Sequence, residues 1–253
     1  RHQRYQRMLK MGLIDKKRWP LPAPEPRVEN WETVDHKDWR IRNMAVYAAM
    51  VESMDDSVGR VMETLRELGL EKDTLVIFTS DNGGFYNATS NAPLRANKGA
   101  YYEGGIRVPL IIKWPGVARA GAVSAEPVIS TDLYPTCLAA AGLPARPSQH
   151  VDGRNLQPVL AQVAPLGRDS LFWHFPHYNE HPHSVPSGVI RRGEWKYLDH
   201  RGSGGNSYEK GALATFALPD TAPTAPGQLY NLKTDPGERT NLYLKHHEIV
   251  KEL

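Results

Sequence analysis

The segment that most constrains this chain runs from Thr74 to Gly84: Thr-Leu-Val-Ile-Phe-Thr-Ser-Asp-Asn-Gly-Gly. Its apolar run is too short for a helix and stops abruptly at an acid, an amide and paired glycines. That pattern predicts a buried strand, Leu75–Ser80, delivering Asp81 and Asn82 to the carboxyl edge of a sheet, where α/β proteins place ligand sites. Asn97-Lys98-Gly99 and the glycine-rich Tyr101-Tyr102-Glu103-Gly104-Gly105 follow within one loop's reach. Glycines there permit close approach of backbone to a ligand.

The flanking pattern extends the α/β reading. Met44, Tyr47, Val51, Met54, Val58, Val61, Leu65 and Leu68 recur in steps of three and four. That spacing predicts a helix over Asp38–Leu68 whose apolar stripe is buried against a sheet, with Gly69 as its C-cap. Pro109–Trp114 reads as a second strand, Glu126–Ser130 as a third, and Asp132–Ala141 as a helix ended by Gly142. Strand and helix in succession point to a mixed or parallel sheet covered on both faces. A short helix is expected near Arg4–Met11, and Trp19–Pro26 is too proline-dense for helix or central strand. After Pro144 the texture changes. Leu171–Phe175, Ser187–Arg192, Glu194–Asp199 and Gln228–Asn231 are short strand candidates punctuated by turns, with a terminal helix from Thr240. Residues 201–226 read as a long surface loop.

Composition excludes several classes. Lys+Arg 31 against Asp+Glu 28 leaves a net charge of +3 without a basic stripe, which argues against a nucleic-acid footprint. The lone cysteine, Cys137, rules out a disulfide framework and a cysteine-rich zinc site, and its apolar neighbours predict a core position. No apolar run reaches transmembrane length. The chain opens on Arg1 and a polar stretch without a signal peptide, so it reads as excised from a longer protein, and localisation stays open.

The chemistry concentrates around Asp81. A carboxylate beside an amide oxygen suits a hard divalent cation such as calcium or magnesium; the same residues also end strands as plain turns. The Lys98 ammonium is a compact charge suited to a tetrahedral oxyanion. Metal and ammonium flanking one anionic substrate make a more specific pairing than either alone. Asp55-Asp56 lies on the predicted helix, where adjacent residues diverge too far to share an ion. His174, His177, His181 and His183 fall within ten residues, but the interspersed prolines preclude a regular metal-binding helix. Asn87-Ala88-Thr89 matches a glycosylation sequon.

Taken together, Thr79–Gly84, Lys98-Gly99, Tyr102–Pro109, Lys113–Gly116, Ser130–Thr136, Val151–Gly153, Ile190–Lys196 and Leu229–Glu238 resemble, in order, the signatures of the type I, arylsulfatase-like sulfatases of the alkaline phosphatase-like superfamily. The resemblance covers about residues 44–244. It implies an α/β fold: part of a sulfatase-like mixed sheet with flanking helices over 1–145, then a small antiparallel subdomain with one helix over 146–253. It implies that Asp81 and Asn82 are ligands of one calcium ion, that Lys98 contacts the sulfate group and serves catalysis, and that His174 or His177 touches the substrate, a sulfated small molecule or glycan. Glu103–Pro109 would shape the loop behind the lysine.

The chain departs from that family in one large respect. Type I sulfatases use a formylglycine made from a Cys- or Ser-x-Pro/Ala-x-Arg motif, and none occurs here. Calcium wants about six to eight oxygen ligands, and Asp81 with Asn82 supplies only part of that shell. The expectation is a C-terminal portion of a sulfatase that needs its N-terminal half, carrying the nucleophile, and that is inert alone. A periplasmic or secreted location fits the whole enzyme. Alternatives are a phosphomonoesterase or phosphonate esterase of the same superfamily, or a non-catalytic module binding sulfated glycans.

Overall fold

The computed structural model describes residues 2–17, 19–21, 31–85, 88–175, 187–199 and 225–253. In chain order its elements are α1 (His2–Lys10), α2 (Lys37–Glu67), β1 (Val76–Thr79), α3 (Glu103–Ile106), β2 (Leu110–Lys113), α4 (Leu133–Ala140), α5 (Gln157–Leu160), β3 (Ser170–Phe175), β4 (Ser187–Arg192), β5 (Trp195–Leu198), β6 (Gln228–Asn231) and α6 (His247–Glu252). This is the expected α/β class, with helices and two separate antiparallel sheets. His177, His181, His183, the sequon asparagine Asn87, most of the Pro-rich connector and residues 201–224 lie outside the described residues.

The described chain forms two compact units. One comprises residues 29–79 and 109–168. Here β1 and β2 pair antiparallel, with Val76 opposite Lys113 and Thr79 opposite Leu110. A mixed sheet accommodates such a pair and a purely parallel one does not. Among the described residues the ribbon has two strands, and β1 is not the buried strand its apolar run predicts: Phe78 is 38% exposed. Helix α2 begins and ends where its periodicity places it, and Gly69 follows at φ +70°, as a C-cap requires. Its stripe, however, is not buried: no residue of α2 is, and Met44, Met54 and Val61 all stand in the open. Cys137 is also exposed, not part of a core.

The third strand expected at Glu126–Ser130 does not form. Side chains capture the backbone groups a ladder would use: Ser124 Oγ accepts the Glu126 N–H at 3.1 Å and Asp132 Oδ2 accepts the Ile129 N–H at 2.9 Å. Asp132 is fully buried. It also accepts the Arg154 N–H at 2.8 Å and forms an ion pair with Arg168, fixing the segment around α4.

The other unit comprises residues 1–28, 80–108 and 169–253. Strands β3 to β6 form an antiparallel meander in sequence order, as the turn signals predict. A two-residue loop joins Arg192 to Trp195, with Gly193 at φ +57°. Ala100, Tyr101, Tyr102, Val189, Leu198, Tyr230 and Leu232 make the core beneath the meander. The terminal helix α6 starts later than the sequence suggests, at His247. The reason is Asn241, whose Oδ1 accepts the N–H groups of Leu229 and Tyr243 and whose Nδ2 donates to Gly227, holding the preceding segment against β6.

Candidate metal and anion site

Residues 80–108 carry the candidate site as one cross-braced loop. Asp81 is exposed and accepts the Asn82 N–H on Oδ1 at 2.9 Å, while Ser80 Oγ donates to the Asn82 carbonyl at 2.9 Å. Both donor side chains are therefore presented by a closed turn, Asn82 half-buried. The turn is pinned from the glycine side: Gly83 N–H donates to Gly105 O at 2.8 Å. A Cβ at Gly83 would run into the Gly104 carbonyl, so no other residue fits without moving backbone. Asn91 clasps Gly84 through both its N–H and its carbonyl, each at 3.0 Å.

Lys98 is held to the same turn by its main chain. Its N–H donates to Gly84 O at 3.1 Å, and its side chain is exposed. The structure thus brings Asp81, Asn82 and Lys98 onto one hydrogen-bonded loop. His174 sits exposed on β3 opposite Gly188, and among the described residues no hydrogen bond or ion pair joins it to the other three.

Two hard oxygen donors match calcium or magnesium by type and fall short by number. Among the described residues no three His, Cys, Asp or Glu side chains are placed to share a metal ion. A complete coordination shell therefore requires ligands beyond these two.

Behind the loop lies a buried ionic cluster that the motif reading did not single out. Glu103 opens α3, and its N–H donates to Glu238 Oε2 at 2.6 Å. Lys196 of β5 places Nζ 3.1 Å from Glu103 Oε1 and 2.8 Å from Glu238 Oε1, the second an ion pair without hydrogen-bond alignment. All three side chains are at most 2% exposed. Arg107 approaches Glu103 Oε2 at 3.6 Å. Burial, reinforced by the Glu103 charge and opposed by Lys196, pushes the Glu238 carboxyl up to about 7. Burial also acts upward on Glu103, but Lys196, Arg191 and Arg107 outweigh it and hold this carboxyl below its ordinary value. One ammonium cannot neutralise both acids, and Glu238 is the one that ionises reluctantly. The sequence did contain a signal: period-two alternation puts Lys196 on the same face as buried Leu198.

Comparison with known proteins gives the family. A family model described as Sulfatase matches residues 15–143, and one described as N-sulphoglucosamine sulphohydrolase, C-terminal, matches residues 96–208. A sulfatase of Formosa agariphila is 40% identical over 211 residues, covering 78% of this chain and 35% of that protein. Human arylsulfatase A is 37% identical over 195 residues, covering 75% and 37%. The crystal structure of Ps i-CgsB superposes with a TM-score of 0.65 at 28% identity, covering 90% of this chain and 42% of that one. The phosphonate monoester hydrolase of Agrobacterium radiobacter gives 0.56 at 26%, covering 81% and 38%. The chain thus spans little more than a third of the length of these sequence relatives. No helix among the described residues is long and apolar enough to cross a membrane. With about half its length matched by the family model, and its Asp-Asn-Gly-Gly turn and lysine braced on one loop, the chain belongs to the sulfatase family.

Proposed function

We propose that this chain is the C-terminal part of an enzyme that hydrolyses sulfate esters, and that it supplies the cation and anion contacts of the active site rather than the nucleophile. The observation that supports the reading is the Lys98 N–H bonded to Gly84 O, which ties the lysine's backbone to the Asp81-Asn82 turn. Asp81 and Asn82 would hold calcium through their side-chain oxygens. That ion, when bound, supplies Lewis-acid stabilisation of charge on the sulfuryl oxygens. Lys98 adds a fixed positive charge to those oxygens, where preorganised donors are worth most in a water-poor site. At about 4 Å and an effective dielectric near 20, such an attraction is roughly 4 kcal/mol before desolvation. His174 and His177 would contact the remainder of a sulfated small molecule or glycan from β3 and the segment beyond it.

The nucleophile, a formylglycine, would lie in an N-terminal half of the same enzyme, since residues 1–253 contain no motif for making it. Support for such a half comes from α2, whose apolar stripe stands exposed, and from the two-stranded β1–β2 ribbon. On this reading residues 1–145 belong to the catalytic α/β domain and 146–253 to its small subdomain, and the chain alone turns nothing over.

Hydrolysis of an aryl sulfate should be compared with that of the matching aryl phosphate and phosphonate monoester, using the full-length enzyme. A clear preference for sulfate is expected. Preference for the phosphonate would move the chain to the rival reading that its similarity to the Agrobacterium radiobacter enzyme favours. Saturable, calcium-independent binding of sulfated glycans without turnover would instead support a binding module.

A further inference from the structure

We infer that Lys196, through its buried pairs with Glu103 and Glu238, is a positioning residue for the loop that carries Asp81, Asn82 and Lys98. The inference rests on reading that loop as the cation- and sulfate-binding element. Lys196 stands on the inward face of β5 with Nζ completely enclosed between two carboxylates. A buried ion pair is weak evidence for stability, because apolar residues of similar volume serve a core as well or better. What the triad provides is directional fixation.

Each step of that fixation is a contact. Glu238 sits at φ +51°, a left-handed conformation that a non-glycine residue keeps only when its surroundings enforce it. Its carbonyl accepts Arg95 Nη1 at 2.7 Å, and its carboxylate accepts the Glu103 N–H. The Arg95 guanidinium lies 4.1 Å over the Tyr102 ring, and its own carbonyl accepts the Gly104 N–H at 2.8 Å. The one-turn helix α3 is therefore held at its first two amides by groups tied to Glu238. No Cβ fits at Gly104 or Gly105 because the carbonyls of Arg95, Ala96 and Ala100 are packed against them. Gly105 O then receives Gly83 N–H, and Gly84 O receives Lys98 N–H. Lys196 and Glu238 thus reach both ligand-bearing positions through main-chain hydrogen bonds, without touching substrate or metal.

The test uses the full-length protein carrying Lys196→Met and, because that variant removes the ammonium shared by two buried acids, the neutral triple variant Lys196→Met/Glu103→Gln/Glu238→Gln. Amide hydrogen exchange is read at Gly83, Lys98 and Gly104, with Asp199 and Leu232 at the meander as controls, alongside a calcium titration. In the triple variant the control amides should keep their protection. Gly83 and Lys98 should exchange faster, and calcium affinity should fall about 10- to 100-fold, the range for groups that orient metal ligands. Unchanged loop protection and calcium affinity in a folded triple variant would overturn the inference, as would uniform loss across loop and controls, which marks a purely structural role. A wild-type protein that binds no calcium would instead refute the functional reading, and the exchange comparison would still decide the positioning role.

Discussion

Replacing Glu238 with glutamine should change how stability depends on pH. Glu238 is completely buried, and its carboxyl is pushed from 4.5 up to about 7, first by burial and then by the neighbouring Glu103, against the pull of Lys196. The folded protein therefore binds a proton that the unfolded chain has released between those values. Stability from this group is present in full below pH about 4.5 and is lost as pH rises through about 7. At about 1.4 kcal/mol per pH unit, the decline across that window is about 3 kcal/mol. Glu103 acts in the opposite sense: its lowered carboxyl contributes stability above its unfolded value and loses it as pH falls. Glutamine keeps the volume and an oxygen for the Glu103 N–H, but has no proton to lose. Urea unfolding followed by tryptophan fluorescence at several pH values from 4.5 to 7.5 should show a falling curve for the wild type and a flatter one for Glu238→Gln. Parallel curves would refute the reasoning, since the titrating group would then lie elsewhere.

Three further outcomes follow from the geometry. Gly83→Ala drives a Cβ into the Gly104 carbonyl and should cost about 1–3 kcal/mol, seen as a lower Tm. Arg168→Met leaves the Asp132 carboxylate buried without its cation, and chemical denaturation should report a loss of about 3–5 kcal/mol. Asp81→Ala removes an exposed side chain, so stability should stay within about 0.5 kcal/mol, while calorimetric titration of the full-length enzyme should show weakened calcium binding.

Much of this architecture is legible in the residues, and the failures share a cause. The strands β3 to β6, the limits of α2 and α4, and the turn after β1 are local events, governed by periodicity and by glycines at Gly69, Gly142 and Gly193. Burial is not local. The stripe of α2 and the position of Cys137 look like core because apolar spacing says which face seeks a partner, not whether one is present. At Glu126–Ser130 and Thr240–His246 the apolar and polar pattern was outvoted by Ser124, Asp132 and Asn241, whose side chains compete for backbone groups. That Asp81, Asn82 and Lys98 share one loop was legible in their closeness along the sequence. Lys196 could be placed inward from its alternation with Leu198, but nothing local links it to Glu103 or Glu238. Their meeting depends on the fold bringing β5, α3 and the segment after β6 together.

The most direct test of the central claim is kcat/KM for an aryl sulfate, measured on the full-length enzyme with Lys98 intact and as Lys98→Ala. The lysine is exposed and its loop is braced by main-chain contacts, so the variant should fold normally. It should nevertheless lose about 100- to 1000-fold in turnover, the effect of deleting one charge-stabilising donor. A folded Lys98→Ala enzyme with wild-type kcat/KM would contradict the account.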